Sequence, residues 1–198
     1  MSHGVVVFSL DFERVERLWS CRTPVVVDRI LQRVGHTPED EDEVEPEEFA
    51  EGETRPPTIR EALQHFVMGE PPRTEFPRPY ALALLAMCHY AGDLLLVNVL
   101  YGTDWPHVEA IDKTLARYGY REPIRLSNVL SRGIPILDLP VPDESPTVGY
   151  LTPQEVAASP FMGQMWSGPK EICDSMYEFA GWVAAAAGKG HGLVGFYY

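Results

Sequence analysis

The sequence predicts a helix-rich α+β fold in which residues 1–198 form one domain around a small sheet containing both chain ends. Three observations carry this expectation. The chain opens and closes on short apolar runs, residues 5–10 and 193–198, rich in the β-branched and aromatic side chains that suit strands. Between them, apolar residues recur at helical spacing in segments bounded by capping residues and glycines. A length of 198 residues, with 45% hydrophobic and 11% aromatic content, suits one globular domain with a sizeable core.

The elements follow in order. Residues 5–10 read as a buried strand with apolar side chains on both faces. Asp11 caps a short helix with Phe12, Val15, Leu18 and Trp19 on one side. Thr23 as N-cap and Pro24 at the first helical position open a second helix, whose Val27, Ile30, Leu31 and Val34 form a stripe ended by Gly35. Thr58 and Glu61 make a capping box for a third helix, with Ile59, Leu63, Phe66 and Val67 inward and Gly69 as its stop. Prolines 71, 72, 77 and 79 imply an extended connection before a central helix over 80–91, apolar almost all round. The run 94–101 has no period, so helix and strand both stay open there. Thr103 or Asp104 caps a helix through Val108, Ile111, Leu115 and Tyr118 to Gly119. Residues 123–160 break into short pieces, with a strand expected at 134–137 and a second capping box at Thr152 and Glu155. The last helix starts near Pro169 and aligns Ile172, Met176, Phe179, Val183 and Ala187 before Gly188, and a glycine-rich turn leads to the closing strand.

Charge is concentrated. The formal net charge is −13, yet residues 39–53 hold ten acids and no base, which leaves 19 acids against 16 bases elsewhere. Self-repulsion and flanking prolines predict an exposed, mobile acidic insertion at 38–57. Its Glu41, Asp42, Glu43, Glu45, Glu47 and Glu48 are candidate contacts for a basic protein partner. Acidity argues against nucleic acid and anionic membranes as partners. The first residues lack a basic, apolar leader pattern, and no apolar run approaches the roughly 20 residues of a membrane span. Three widely spaced cysteines suit buried thiols, so a cytoplasmic location is expected.

Strand 5–10 with Leu10-Asp11, the 80–92 helix with Cys88 and Gly92, the turn Arg132-Gly133-x-Pro135 followed by Leu139-Pro140, and the ending from Trp182 to Gly192-Leu-Val-Gly-Phe-Tyr-Tyr198 carry a resemblance. In order and punctuation they resemble a family of uncharacterised bacterial proteins of about this size, found in actinobacteria and other soil bacteria. The resemblance spans nearly the full chain and implies no activity, cofactor or active site. The acidic insertion looks peculiar to this member.

Motifs of known chemistry are weak. His107-Val108-Glu109 is half of a zinc deaminase signature whose cysteine half is absent. Acids 39–48 lack the alternating spacing of a calcium loop. Cys88 and His89 are helical neighbours about 100° apart and cannot form a dyad, although Cys88 could meet His65 if their helices pack. Gly188–Gly192 follows a helix rather than preceding one, the wrong order for a phosphate loop. No catalytic residue, metal or cofactor is therefore expected, and enzyme activity is disfavoured. Tyr80, His89, Tyr101 and Trp105 are candidate lining for a small-molecule pocket. Three function classes follow: a non-catalytic protein-binding or immunity-type (toxin-neutralising) protein, a small-molecule-binding domain or enzyme without a known motif, and an accessory homo-oligomer. Oligomeric state itself is not legible in the sequence.

Overall fold

The computed structural model describes residues 4–35, 55–120, 122–133, 146–159 and 165–198. The apolar ends of the chain meet. Strand β1 (Val5–Leu10) pairs antiparallel with β4 (Gly192–Tyr197) along its whole length, from Val5 opposite Tyr197 to Leu10 opposite Gly192. Two further strands flank this pair, β2 (Asp93–Leu94) beside β1 and β3 (Thr147–Leu151) beside β4, giving the antiparallel order β2-β1-β4-β3.

Because successive strand side chains point to opposite faces, the sheet sorts its apolar residues into two cores. Phe8, Leu10, Val148, Val194 and Phe196 face helices α1 (Phe12–Leu18), α2 (Val25–Val34), α3 (Ile59–Met68) and α4 (Pro77–Ala91). Val5, Val7, Leu151 and Leu193 face α5 (Trp105–Arg117), α6 (Leu126–Ser131), α7 (Pro153–Ala157) and α8 (Lys170–Ala187). The result is a helix-rich α+β fold of three layers. Among the described residues no helix is long and apolar enough to cross a membrane.

Local chemistry explains most boundaries. Asp11 accepts from the Arg14 N–H, Asp104 accepts from the His107 N–H, and both Thr58–Glu61 and Thr152–Glu155 form complete capping boxes. Four expectations need correction. Thr23 does not cap α2, since its hydroxyl donates to the Cys21 carbonyl instead. The central helix begins at Pro77, not at residue 80, because its prolines occupy the first turn, where no intrahelical N–H is required. The left-handed residue after α8 is Gly190, while Gly188 stays helical and the His191 N–H returns to the Ala186 carbonyl. On α8 itself the buried stripe ends on Ala186, and Ala187 is exposed. The expected strand at 134–137 and the acidic insertion, apart from residues 55–57, lie outside the described residues.

Helix α6 and strand β3 are features that periodicity did not reveal. Gly149 and Gly195 lie opposite one another in the β3–β4 register. A Cβ on Gly195 would stand 2.6 Å from the Val129 carbonyl oxygen, and one on Gly149 would collide with the Asn128 carbonyl. The paired glycines thus let the backbone of α6 lie directly on the sheet. The N-terminus of α6 has no cap of its own. Asp112, buried on α5, supplies one by accepting from the N–H groups of Leu126 (2.7 Å) and Ser127 (3.2 Å).

Candidate functional site

After β2 the chain leaves the sheet as an irregular strap, residues 95–102, laid against α8. The apolar run cannot be satisfied by one buried face, and it divides. Leu95 and Val97 pack on the core and Leu100 is buried, while Leu94, Leu96, Val99 and Tyr101 are left in solvent. The strap is held through its backbone. The Leu95 N–H donates to the Val7 carbonyl at 2.9 Å, and the Trp182 indole N–H donates to the Leu96 carbonyl at 3.0 Å. The carboxylate of Glu178 accepts from three successive N–H groups, those of Asn98 (2.5 Å), Val99 (2.9 Å) and Leu100 (2.8 Å). Consecutive N–H groups turned toward one point make an anion nest, here filled by the protein's own side chain.

Between strap and helix lies an open groove of about 560 Å³, with Leu96, Val99 and Tyr177 as apolar walls and Gly181 and Ala185 on its floor. Of the seven large hydrophobic side chains exposed among the described residues, four are on or next to the strap and a fifth is Tyr177. The surrounding charge is acidic. Segments 93–104 and 170–189 carry five carboxylates and two lysines. Both lysines are engaged, Lys170 with Asp174 and Lys189 with Asp93, each at 3.0 Å. The hydrogen bond from Lys189 holds the Asp93 carboxyl below its ordinary range.

On the other side of the sheet is a polar cleft of about 520 Å³ bordered by α2, α3 and the connection to α4. Arg55 grips both oxygens of Glu61, at 2.6 and 3.1 Å. Burial pushes the Glu61 carboxyl up, but the Thr58 N–H and the Arg55 guanidinium together hold it below its usual value. His65 lines the cleft beside Glu70, whose carboxylate is 3.8 Å from Nε2. The buried Tyr80 hydroxyl accepts from the Arg73 N–H at 2.9 Å and lies 2.7 Å from His65 Nδ1. The hydroxyl thus ties the His65 ring to the backbone at Arg73, with Nε2 on the side of Glu70. The described lining contains neither serine, threonine nor cysteine, so it offers hydrogen bonding and charge but no hydroxyl or thiol nucleophile. Cys88 cannot supply one. It is fully buried, and desolvation pushes its thiol far above the range where a thiolate forms.

A family model described as "Domain of unknown function (DUF7691)" matches residues 1–198. The chain belongs to the DUF7691 family. No curated protein and no solved structure matches it. In this DUF7691 domain the four side chains expected to line one pocket are dispersed. Tyr80 lies beneath the polar cleft, and His89 stands edge-on to Phe8 at 4.8 Å in the first core. Trp105 packs on Tyr197 in the second core, and Tyr101 is exposed on the strap. His107 binds the buried Ser175 hydroxyl at 3.0 Å, a structural contact. Glu41, Asp42, Glu43, Glu45, Glu47 and Glu48 lie outside the described residues. Sequence reading missed Leu96, Glu178 and Gly181. Two signals were present: an apolar run far longer than a two-residue strand needs, and a glycine in the middle of an otherwise strong helix pattern.

Proposed function

We propose that this DUF7691 protein is a non-catalytic protein-binding protein of the toxin-neutralising kind, which covers a basic surface on its partner. The observation that carries the reading is the concentration of exposed apolar side chains on the strap and the adjoining turn of α8, inside an acidic surround. Contiguous apolar surface in a polar frame is the usual mark of an interaction site. The overall charge of −13 selects for a basic partner, and the acidic segment 39–53 steers it. The same charge opposes self-association through this face, which ranks the homo-oligomer reading lower.

A photo-crosslinking amino acid placed at Leu96, with Arg29 on the opposite layer as control, tests the proposal in cells. A basic protein captured from position 96 and not from position 29 is expected. With the purified pair, Leu96→Asp combined with Tyr177→Ala should weaken binding at least roughly tenfold. Capture that is equal at both positions, or an affinity unmoved by the double variant, would sink the reading.

A small-molecule-binding role has one observation in its favour, the anchoring of His65 on the Tyr80 hydroxyl inside the polar cleft, beside Glu61 and Glu70. It predicts that His65→Ala abolishes binding of a polar ligand found by screening the folded protein, with the melting temperature as control.

A further inference from the structure

The groove between strap and α8 has a shape that selects among partners. Tyr177, Gly181 and Ala185 follow one another at intervals of four, so they form a single row along one face of α8, about 12 Å long. Glycine within a helix costs about 1 kcal/mol relative to alanine. Nothing among the described residues requires it at 181, where an added Cβ would meet none of their atoms within 4 Å. The row therefore runs from a large side chain to a shallow floor open to solvent, with Leu96, 74% exposed, as one wall. A trough at i, i+4 spacing is what the side-chain ridge of a second helix fits, and a glycine floor permits close approach. The sheet edge beside the groove offers less. Strand β2 is two residues long, too short a template for an added strand.

We infer that the groove receives a basic amphipathic helix of the partner protein, seated across Gly181 and Ala185 with its apolar face on Leu96, Val99 and Tyr177. The inference rests on the protein-binding reading above and adds the form of the occupant. Its charge follows from the rim. Asp174 and Glu178 line the groove on α8, the two segments that form it carry five acids against two lysines, and both lysines are paired with acids of those segments. A helix with lysine or arginine flanking its apolar stripe meets complementary charge there, whereas a second copy of this chain would bring the same acidic excess against itself.

The test titrates the full ¹⁵N-labelled protein with three synthetic peptides of about 18 residues, long enough for helix to form. One is an amphipathic sequence of Leu, Ala and Lys; the second replaces Lys by Glu; the third keeps Lys but carries two central prolines that break the helix. The first should bind at least roughly tenfold more tightly than the others, and should shift the amide signals of Leu96, Gly181 and Ala185. Gly181→Leu, which fills open space and should melt no lower than the parent, should lose at least roughly tenfold in affinity for the first peptide. Equal binding of the proline peptide, shifts confined to the His65 cleft, an unaffected Gly181→Leu variant, or concentration-dependent shifts of the same amides in the protein alone would each overturn the inference. The crosslink from Leu96 separates the two levels: a basic protein captured there without any helix preference removes only this inference, and a silent crosslink removes the protein-binding reading as well.

Discussion

Glu178 binds three backbone N–H groups of a segment that has no ladder of its own. Hydrogen bonds to a charged group contribute about 1.5–3 kcal/mol each, less where water competes. Glu178→Ala should therefore free the strap before it disturbs the sheet. Amide exchange at Asn98, Val99 and Leu100 is expected to accelerate strongly while β1 and β4 stay protected, with a global loss of about 1–3 kcal/mol. Unchanged exchange at these three amides would show that the strap is held by other contacts. His89 illustrates the opposite case, a titratable group with no hydrogen-bonded charge to support it among the described residues. Desolvation against Phe8 lowers its pKa below the ordinary 6.5, so the unfolded chain takes up a proton more readily than the folded one. The stability it allows is fully present above pH 6.5 and falls as pH drops through 6.5 toward the folded value. Asp112 acts in the reverse sense at lower pH, because burial raises its carboxyl. Comparing urea midpoints of the parent and His89→Phe between about pH 7.5 and about pH 5 isolates the histidine, and the variant should show the shallower decline. Parallel curves would remove His89 from the acid response.

Two kinds of glycine sit in the secondary elements, and the same substitution should act on them with opposite sign. Gly195→Ala puts a methyl group against the Val129 carbonyl, forcing α6 off the sheet at a cost of about 1–3 kcal/mol. Gly181→Ala places its methyl in solvent on an exposed helical turn and should stabilise by about 0.5–1 kcal/mol. Chemical denaturation of the two variants checks both signs, and a stabilised Gly195→Ala would contradict the close packing of α6. The same contrast shows what the sequence could reveal. Helices with a local cap and an inward stripe, such as α3 with Thr58 and Glu61, were legible because every determinant lies within one or two turns. Helix α6 was not, because Asp112, fourteen residues before Leu126, caps it. Strand β3 was hidden by Gly149, which weakens any strand pattern and whose purpose appears only with α6 above it. The interaction face was half legible. Tyr101 was singled out as an aromatic and the run 94–101 as ambiguous, but the groove depends on Glu178 and Trp182 reaching back about eighty residues along the chain, a pairing no local period encodes.

At the scale of the molecule the sheet separates two surfaces. The polar cleft belongs to the α1–α4 layer, where Arg55 follows the acidic segment directly, and the apolar groove belongs to the α5–α8 side. Ten of the acids behind the net charge of −13 lie in residues 39–53, and the remainder of the chain carries 19 acids and 16 bases. The segment and the groove should therefore govern different phases of binding. Long-range charge raises the encounter rate and is screened beyond about 10 Å at 0.1 M salt, while desolvated apolar contacts set the lifetime of the complex. Replacing the ten acids by Gln and Asn, which keeps the chain length, should lower the association rate constant roughly tenfold at low salt and flatten its salt dependence. The dissociation rate constant should stay nearly unchanged. Leu96→Asp should do the reverse, raising the dissociation rate and leaving the salt dependence intact. Stopped-flow association and dissociation with the partner captured from position 96, measured across a salt series, distinguish the two roles. If neutralising residues 39–53 acts mainly on dissociation, the acidic segment is itself the docking surface and the groove is secondary to it.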